Sequence, residues 1–427
     1  MIQKIELPQG LQTASFVMGD GALETLPEFL QQVFPGRKPW IVADGNTYAA
    51  AGKRAHELLA GNCYEPYIFP AEPRLHPDTA LSDMLAAKIA EMPGCVPVAV
   101  GSGVINDLVK VASGQANVTY CCVPTAASVD GYTSSGGAMS HKGFKTTIAC
   151  PAPYGLLVDT AVLDTAPPEM FAAGYADLFA KIPAGGDWLI ADQMGSEAVD
   201  PQIWELVQMP LKGRLADPAA FEPVFAGLAS TGYAMQIYKD SRPASGAEHL
   251  CSHVWEMEGF TNNGEEVSHG FKVAVGTIAS TLMQEFIIEH SFEELASRVR
   301  PLLSEAERRA EIAELLKLDC YGSGVAELGM SKFQGSAERR EKTREVWESL
   351  RKILPGQLIA FDKAVALLRQ AKSPVHYRDI GLSEAQFLHG IRTAQLIRKR
   401  YTVLDYLYDA GLLECALEYV KKRLAAL

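Results

Sequence analysis

The chain has 427 residues, 48% hydrophobic and 21% charged, with a formal net charge of -12. That length holds two domains with sizeable cores, and the composition excludes a disordered protein. The acidic balance argues against nucleic acid or an anionic membrane surface as the main partner, since both attract basic proteins, while a small anionic substrate can still meet a local basic pocket. Eight cysteines are scattered without CxxC spacing and no secretory pattern precedes the first apolar segment, so a cytoplasmic, reducing location is expected. No apolar run approaches the ~20 residues of a spanning helix, so no membrane insertion is expected.

Over the first ~160 residues, short apolar runs alternate with helical patterns, the signature of βαβ units and a mostly parallel sheet. Residues 38–43 (KPWIVA) read as a strand ending at Asp44-Gly45, residues 96–100 as another entering GSGVINDLVKVAS, and residues 118–123 as a third entering PTAASVDGYTSSGGA. Each ends in a Gly-, Ser- or Asp-rich turn, and such turns lie at the carboxyl ends of strands, where open α/β sheets bind ligands. Gly101-Ser102-Gly103, with Asp107 in the next helix, would let backbone N–H groups approach a pyrophosphate at a helix N-terminus. The plainer alternative is a tight strand-to-helix turn. The hydroxyls of Thr125, Ser128 and Ser134 suit a nucleotide's ribose and phosphates, and Asp44 either accepts from an adenosine ribose or simply forms an Asp-Gly turn.

Past residue 158 the composition turns to helix formers. Pro167-Pro168-Glu169 opens a helix expected to continue through MFAAGYADLFAKI. Asp177 within it is costly to bury without a partner. It is either a metal ligand or half of a solvated pair with Lys181, four residues on.

Three of the nine histidines fall in residues 241–276. His249 and His253 stand four apart in AEHLCSHVWEM, which places both on one helix face. The loop GFTNNGEE, rich in residues that let a chain reverse, can return a second helix beginning near His269 beside the first. Zinc sites usually have four ligands and catalytic ones keep a position open, so a carboxylate must come from elsewhere, and Asp177 is the best candidate. His56, His76, His141, His290, His376 and His389 lack such a setting. From residue 184 onward amphipathic helical segments run to the end, including the charged faces 304–318 and 337–354. The stretch between Asp192 and Asp240 carries no usable motif. The expected organisation is an α/β domain over 1–162 and an all-helical domain over 163–427.

With these residues in view, the sequence resembles the sn-glycerol-1-phosphate dehydrogenases, within the wider superfamily of iron-containing alcohol dehydrogenases, glycerol dehydrogenases and dehydroquinate synthase-like proteins. The resemblance covers nearly the whole chain and rests on GSGVIND, PTAASVDGYTSSGGAM, AGYADLFAKIPAGGDW, RPASGAEHLCSH, SHGFKVAVGT and IRKRYTVLDYL. It implies a Rossmann-like α/β domain followed by a helical domain, NAD or NADP as cofactor, and one divalent ion: zinc, with nickel or iron as alternatives for the same ligands. By it, Gly103, Val104, Ile105, Asn106, Asp107, Thr125, Ala126, Ala127, Ser128 and Ser134 fall where the family binds the nicotinamide cofactor. Asp130 and His253 fall where it contacts substrate, and as catalytic groups His253 would hold a substrate hydroxyl or relay its proton while Asp130 orients the same hydroxyls. Asp177, His249 and His269 fall on the metal, Asp177 thereby also at the substrate. Where the family often has three consecutive glycines, this chain has Gly101-Ser102-Gly103, which still permits a tight turn.

The implied reaction is hydride transfer interconverting dihydroxyacetone phosphate and sn-glycerol 1-phosphate, in a chain for which a homo-oligomer is left open. A phosphorylated substrate calls for basic residues, and Arg242, Lys145 and Lys272 are the candidates. The alternatives are a polyol dehydrogenase acting on unphosphorylated glycerol and an NAD-dependent lyase like dehydroquinate synthase.

Overall fold

The structure, a computed structural model, describes every residue except Lys142, Gly143 and Ser323, and no side chain from 141 to 145. It divides into two compact units. One is Met1–Leu178 with Gly213–Asp240, the other Phe179–Lys212 with Ser241–Leu427.

The first unit carries strands β1 (Gln3–Lys4), β2 (Ser15–Gly19), β3 (Lys38–Asp44), β4 (Tyr64–Phe69), β5 (Cys95–Gly101), β6 (Cys121–Pro124), the hairpin strands β7 (Gly137–His141) and β8 (Phe144–Ile148), and β9 (Gly155–Asp159). Seven of them form one sheet in the order β1-β2-β9-β6-β5-β3-β4, parallel throughout except at β1. Strand β5 is buried along its whole length, as parallel strands covered on both faces are, which is why CVPVAVG reads as a continuous apolar run. β6 starts three residues later than expected from the sequence. Asn117 turns at φ +52° and Val118 donates back to the Ser113 carbonyl at 3.0 Å, so 118 still belongs to the preceding helix end. The chain leaves β3 for β4 on one side and returns to β5 on the other, so β3 and β5 flank the topological switch point where open sheets bind ligands.

The helix expected through residue 182 is two helices, Pro168–Phe179 and Lys181–Gln193. Pro183 has no N–H to offer the Phe179 carbonyl, which ends the first helix there. The motif-free stretch before Asp240 supplies helix Phe221–Tyr238, which belongs with the sheet. Its Phe225 packs on Phe16 of β2 and on Tyr132, and Gln236 donates to the Thr133 carbonyl at 2.5 Å. The sheet unit therefore takes in helices from beyond residue 162.

Among its described residues the second unit is helical apart from the two-residue strands β10 (Thr261–Asn262) and β11 (Glu265–Glu266). Their turn is Asn263-Gly264 with both φ positive (+52° and +85°), as a two-residue hairpin requires. Helix His269–Glu289 is long and apolar enough to cross a membrane, longer than the sequence runs suggested, but 83% of its apolar window is buried inside the protein.

Candidate active site

In the first unit the ends of β3, β5 and β6 lie side by side, with Val42 opposite Ala99 and Gly101 opposite Pro124. Gly101 is required: a Cβ there would sit 2.5 Å from that of Ile105. Ser102 caps helix Gly103–Gln115 by position only, with no side-chain hydrogen bond, so the first N–H groups are left without a side-chain acceptor. Val104 is half-buried at this end, whereas Ile105 is core and Asn106 is spent on the fold, accepting from Tyr120 Oη at 3.0 Å and facing the Gly131 carbonyl. Thr125, Ala126, Ala127 and Ser128 are buried after β6, where Tyr132 ties the loop by donating to the Ala126 carbonyl (2.7 Å) with Ser128 Oγ 3.1 Å away. Asp44 closes a capping box with Thr47, its Oδ1 accepting the Thr47 N–H at 2.9 Å. The turn-forming role thus holds for one of its oxygens.

Sequence reasoning missed Lys110. Its fully buried ammonium donates to the carbonyls of Gly131 (2.6 Å) and Gly136 (3.2 Å), reaches Ser134 Oγ at 3.4 Å, and pairs with Asp107 at 3.6 Å. It fixes the loop that carries Asp130 and Ser134. A lone lysine amid the apolar residues of VINDLVKVAS was the available signal. Burial pushes the Asp107 carboxyl up to about 6 from 3.8, against the pull of Lys110 and the Ala138 N–H. The fold thus favours protonated Asp107: this contribution is whole below about pH 4 and is lost as pH rises to about 6, on the order of 2–3 kcal/mol. Denaturant titrations should show the Asp107→Asn variant losing less stability than the parent between pH 4.5 and pH 7. Parallel curves would mean that Asp107 titrates as an ordinary carboxylate.

Asp177 is fully buried on helix Pro168–Phe179, and its Oδ2 accepts the Asp130 N–H at 3.0 Å. This helix lies directly on the β6 loop, since a Cβ on Gly174 would meet the Ala127 carbonyl oxygen at 1.8 Å. Lys181 is also fully buried, so the two are not a solvated surface pair.

In the second unit His249 and His253 stand on helix Ala247–Met257, and His269 opens helix His269–Glu289. The three rings converge, with centroids 5.5 Å apart for His249 and His269, 5.9 Å for His253 and His269, and 6.4 Å for His249 and His253. Two glutamates not foreseen from the sequence hold them. Glu248 Oε1 lies 2.8 Å from His249 Nδ1 and accepts the Gly246 N–H, while Glu256 Oε1 lies 2.9 Å from His269 Nδ1. A carboxylate only accepts, so it favours the proton on the Nδ1 that it faces, and the neutral form of each ring then presents the Nε2 lone pair, the arrangement of metal-ligating histidines. Burial alone would raise the Glu256 carboxyl, but His269, His253 and Lys272 hold it well below the usual range.

The helix bearing His249 is anchored by Asp187, whose Oδ2 accepts the Ala247 N–H at 2.7 Å and Oδ1 that of Val403 at 2.9 Å. Burial and the Glu248 charge push its carboxyl up to about 7. Arg242, expected as a phosphate clamp, is 1% exposed and donates to the carbonyls of Tyr401 (3.0 Å) and Asp187 (2.9 Å), so it is structural. Lys272, the second such candidate, is 2% exposed and pairs with Glu256 at 3.1 Å, so it serves the histidine cluster. The side chain of Lys145 lies outside the described residues.

A family model described as iron-containing alcohol dehydrogenase matches residues 17–167. A glycerol-1-phosphate dehydrogenase, NAD(P)+ by name, from Geobacillus thermodenitrificans is 34% identical over 309 residues, 68% of this chain and 73% of its own. One of the same name from Bacillus licheniformis is 28% identical over 414 residues, 94% of this chain and 90% of its own. Among solved structures, the iron-containing alcohol dehydrogenase of Thermococcus thioreducens superposes with TM-score 0.58 at 15% identity over 96% of this chain and 99% of its own, and the glycerol dehydrogenase of Schizosaccharomyces pombe with TM-score 0.55 at 14% identity over 98% and 92%. These two show a shared fold. At the identity and coverage of its named relatives, the chain belongs to the glycerol-1-phosphate dehydrogenase family.

Proposed function

We propose that the chain is a metal-assisted, NAD(P)-linked oxidoreductase interconverting dihydroxyacetone phosphate and sn-glycerol 1-phosphate. The observation that carries this reading is the pair of histidines whose Nδ1 atoms are held by carboxylates, in a chain a third identical to enzymes of that name. In it Asp177, His249 and His269 hold the ion. Within the second unit the rings of His249 and His269 lie 5.5 Å apart, and Asp177 joins the set by the family resemblance. Zinc suits two imidazoles and a carboxylate; nickel and iron accept the same set.

When bound, the ion supplies Lewis-acid stabilisation of charge developing at the substrate C2 oxygen, and the nicotinamide supplies the hydride. The chain's own groups bind, orient and move the proton. His253, with its side chain 35% exposed, holds a substrate hydroxyl or relays its proton, because an imidazole titrates near neutral pH. Asp130, fixed through its N–H to Asp177, orients the same hydroxyls. The start of helix Gly103–Gln115 and the loop from Thr125 to Ser134 receive the cofactor's phosphates and ribose, and Asp44, which would repel a 2′-phosphate, favours NAD.

The test is a panel of dihydroxyacetone phosphate, dihydroxyacetone and glycerol with both nicotinamide cofactors, followed by chiral analysis of the product. Preference for unphosphorylated glycerol would overturn the reading, and product formation with no net change in nicotinamide absorbance would point to a lyase. A narrower prediction concerns the loop. At Gly103 a Cβ already sits 3.2 Å from Val129, so Gly103→Val crowds the helix start. Losing one charge-assisted contact of ~1.5–3 kcal/mol should weaken cofactor binding by about tenfold or more, read by fluorescence titration. Unchanged affinity would move the cofactor off this loop.

A further inference from the structure

Glu256 serves more than one histidine. It lies three residues past His253 on the same helix, nearly buried, with its two oxygens pointing to different rings. Oε1 is 2.9 Å from His269 Nδ1 and 3.1 Å from Lys272 Nζ, and Oε2 is 3.4 Å from His253 Nδ1. The Ser252 hydroxyl lies 3.5 Å from the same His269 nitrogen. The His253 and His269 rings stack at 26°. Glu248, by contrast, meets His249 with Oε1 alone, and its buried Oε2 has no hydrogen-bond partner.

We propose that Glu256 is a positioning residue that couples ion binding to the proton-handling histidine. One carboxylate fixes the tautomer of His269, an ion ligand, and of His253, the group beside the substrate, leaving Nε2 of both rings with its lone pair. The chemistry requires an acceptor that serves three donors at once. Glutamine of the same shape offers one oxygen and an NH2 that must face one of those donors, so it cannot replace the carboxylate. Lys272 keeps the carboxylate charged and aimed, which accounts for a buried lysine here.

The inference rests on the metal-site reading above, and the experiment separates the two. Zinc affinity of apo protein is measured by competition with a chromophoric chelator for the parent, Glu256→Gln and Glu258→Gln, and the histidine tautomers are read by 15N NMR on histidine-labelled apo protein. Glu258 is a control just past the end of that helix, and it contacts Tyr321 and His389 instead. Glu256→Gln should bind zinc at least about tenfold more weakly, as removal of carboxylates behind ligand histidines does, and should shift the proton of the ring that its NH2 faces, His253 or His269, from Nδ1 toward Nε2. Glu258→Gln should match the parent. Unchanged zinc affinity in Glu256→Gln, or Nδ1 protons kept on both His253 and His269, would overturn the proposal. If the parent binds no zinc, the metal reading falls and the tautomer measurement alone decides on Glu256. Should Glu256→Gln fail to fold, Glu256→Asp carries the same test, since it keeps the charge but withdraws the carboxylate by one methylene.

Discussion

Replacing His269 with alanine is expected to strip the ion from the enzyme and lower turnover of dihydroxyacetone phosphate by about a thousandfold or more, with the fold retained. Lewis-acid stabilisation contributes several kcal/mol to a transition state with a developing oxyanion, and each 1.36 kcal/mol is a factor of about ten. His269 is the most informative of the three proposed ligands to change. Its side chain is 33% exposed at the start of a helix whose first turn is already capped by Ser268, so truncation leaves no closed cavity. Asp177→Ala, in contrast, removes the acceptor of the Asp130 N–H in a fully buried place, and its effect would mix ion loss with loop displacement. Mass spectrometry of the purified His269→Ala protein, alongside its unfolding midpoint and steady-state rate, makes the test. A full equivalent of ion with unaltered turnover would remove His269 from the ligand set.

The parts of this site that were legible in the sequence share a physical cause, as do the parts that were not. Strand β5 showed itself because a parallel strand covered on both faces must be apolar throughout, and its Gly101 because the next helix leaves no room for a Cβ. His249 and His269 showed themselves because imidazoles are scarce and the Asn263-Gly264 turn announced the chain reversal between their helices. Arg242 and Lys272 were expected as phosphate ligands because a basic side chain carries no sign of burial in the sequence; their partners, the carbonyl of Tyr401 for one and Glu256 for the other, are set by tertiary packing. Helix Phe221–Tyr238 was silent for the same reason. Its residues form a helix pattern like many others, and only contact with Thr133 and Phe16 shows which sheet it supports. Glu256 could have been found: it falls seven residues after His249 and three after His253, on the face that bears both rings.

The close approach of the two histidine helices yields the last prediction. Gly276 lies two turns beyond His269, and a Cβ there would stand 2.3 Å from the carbonyl oxygen of Glu248 and 2.9 Å from its Cα. Both obstacles are backbone atoms of the residue just before His249, so no rotamer change can relieve them. Two effects of Gly276→Ala oppose each other. Helix propensity favours alanine by about 1 kcal/mol, whereas overpacking a dense interior costs ~1–3 kcal/mol. At 2.3 Å the overlap is severe enough for the second to win, and the helices must separate by about an ångström to restore van der Waals contact. That shift moves His249 away from His269. Misplacement of this size costs about a hundredfold in rate, much more than the modest fall in stability would suggest. Gly356, also helical in the same unit, has no atom within 4 Å of its would-be Cβ, so Gly356→Ala should be neutral or stabilising by up to ~1 kcal/mol with full activity. The measurement pairs zinc affinity and kcat/KM with urea unfolding for both variants. Gly276→Ala should lose affinity and rate together while remaining folded, and retention of parental values for both would show that the helix spacing does not set the geometry of the histidines.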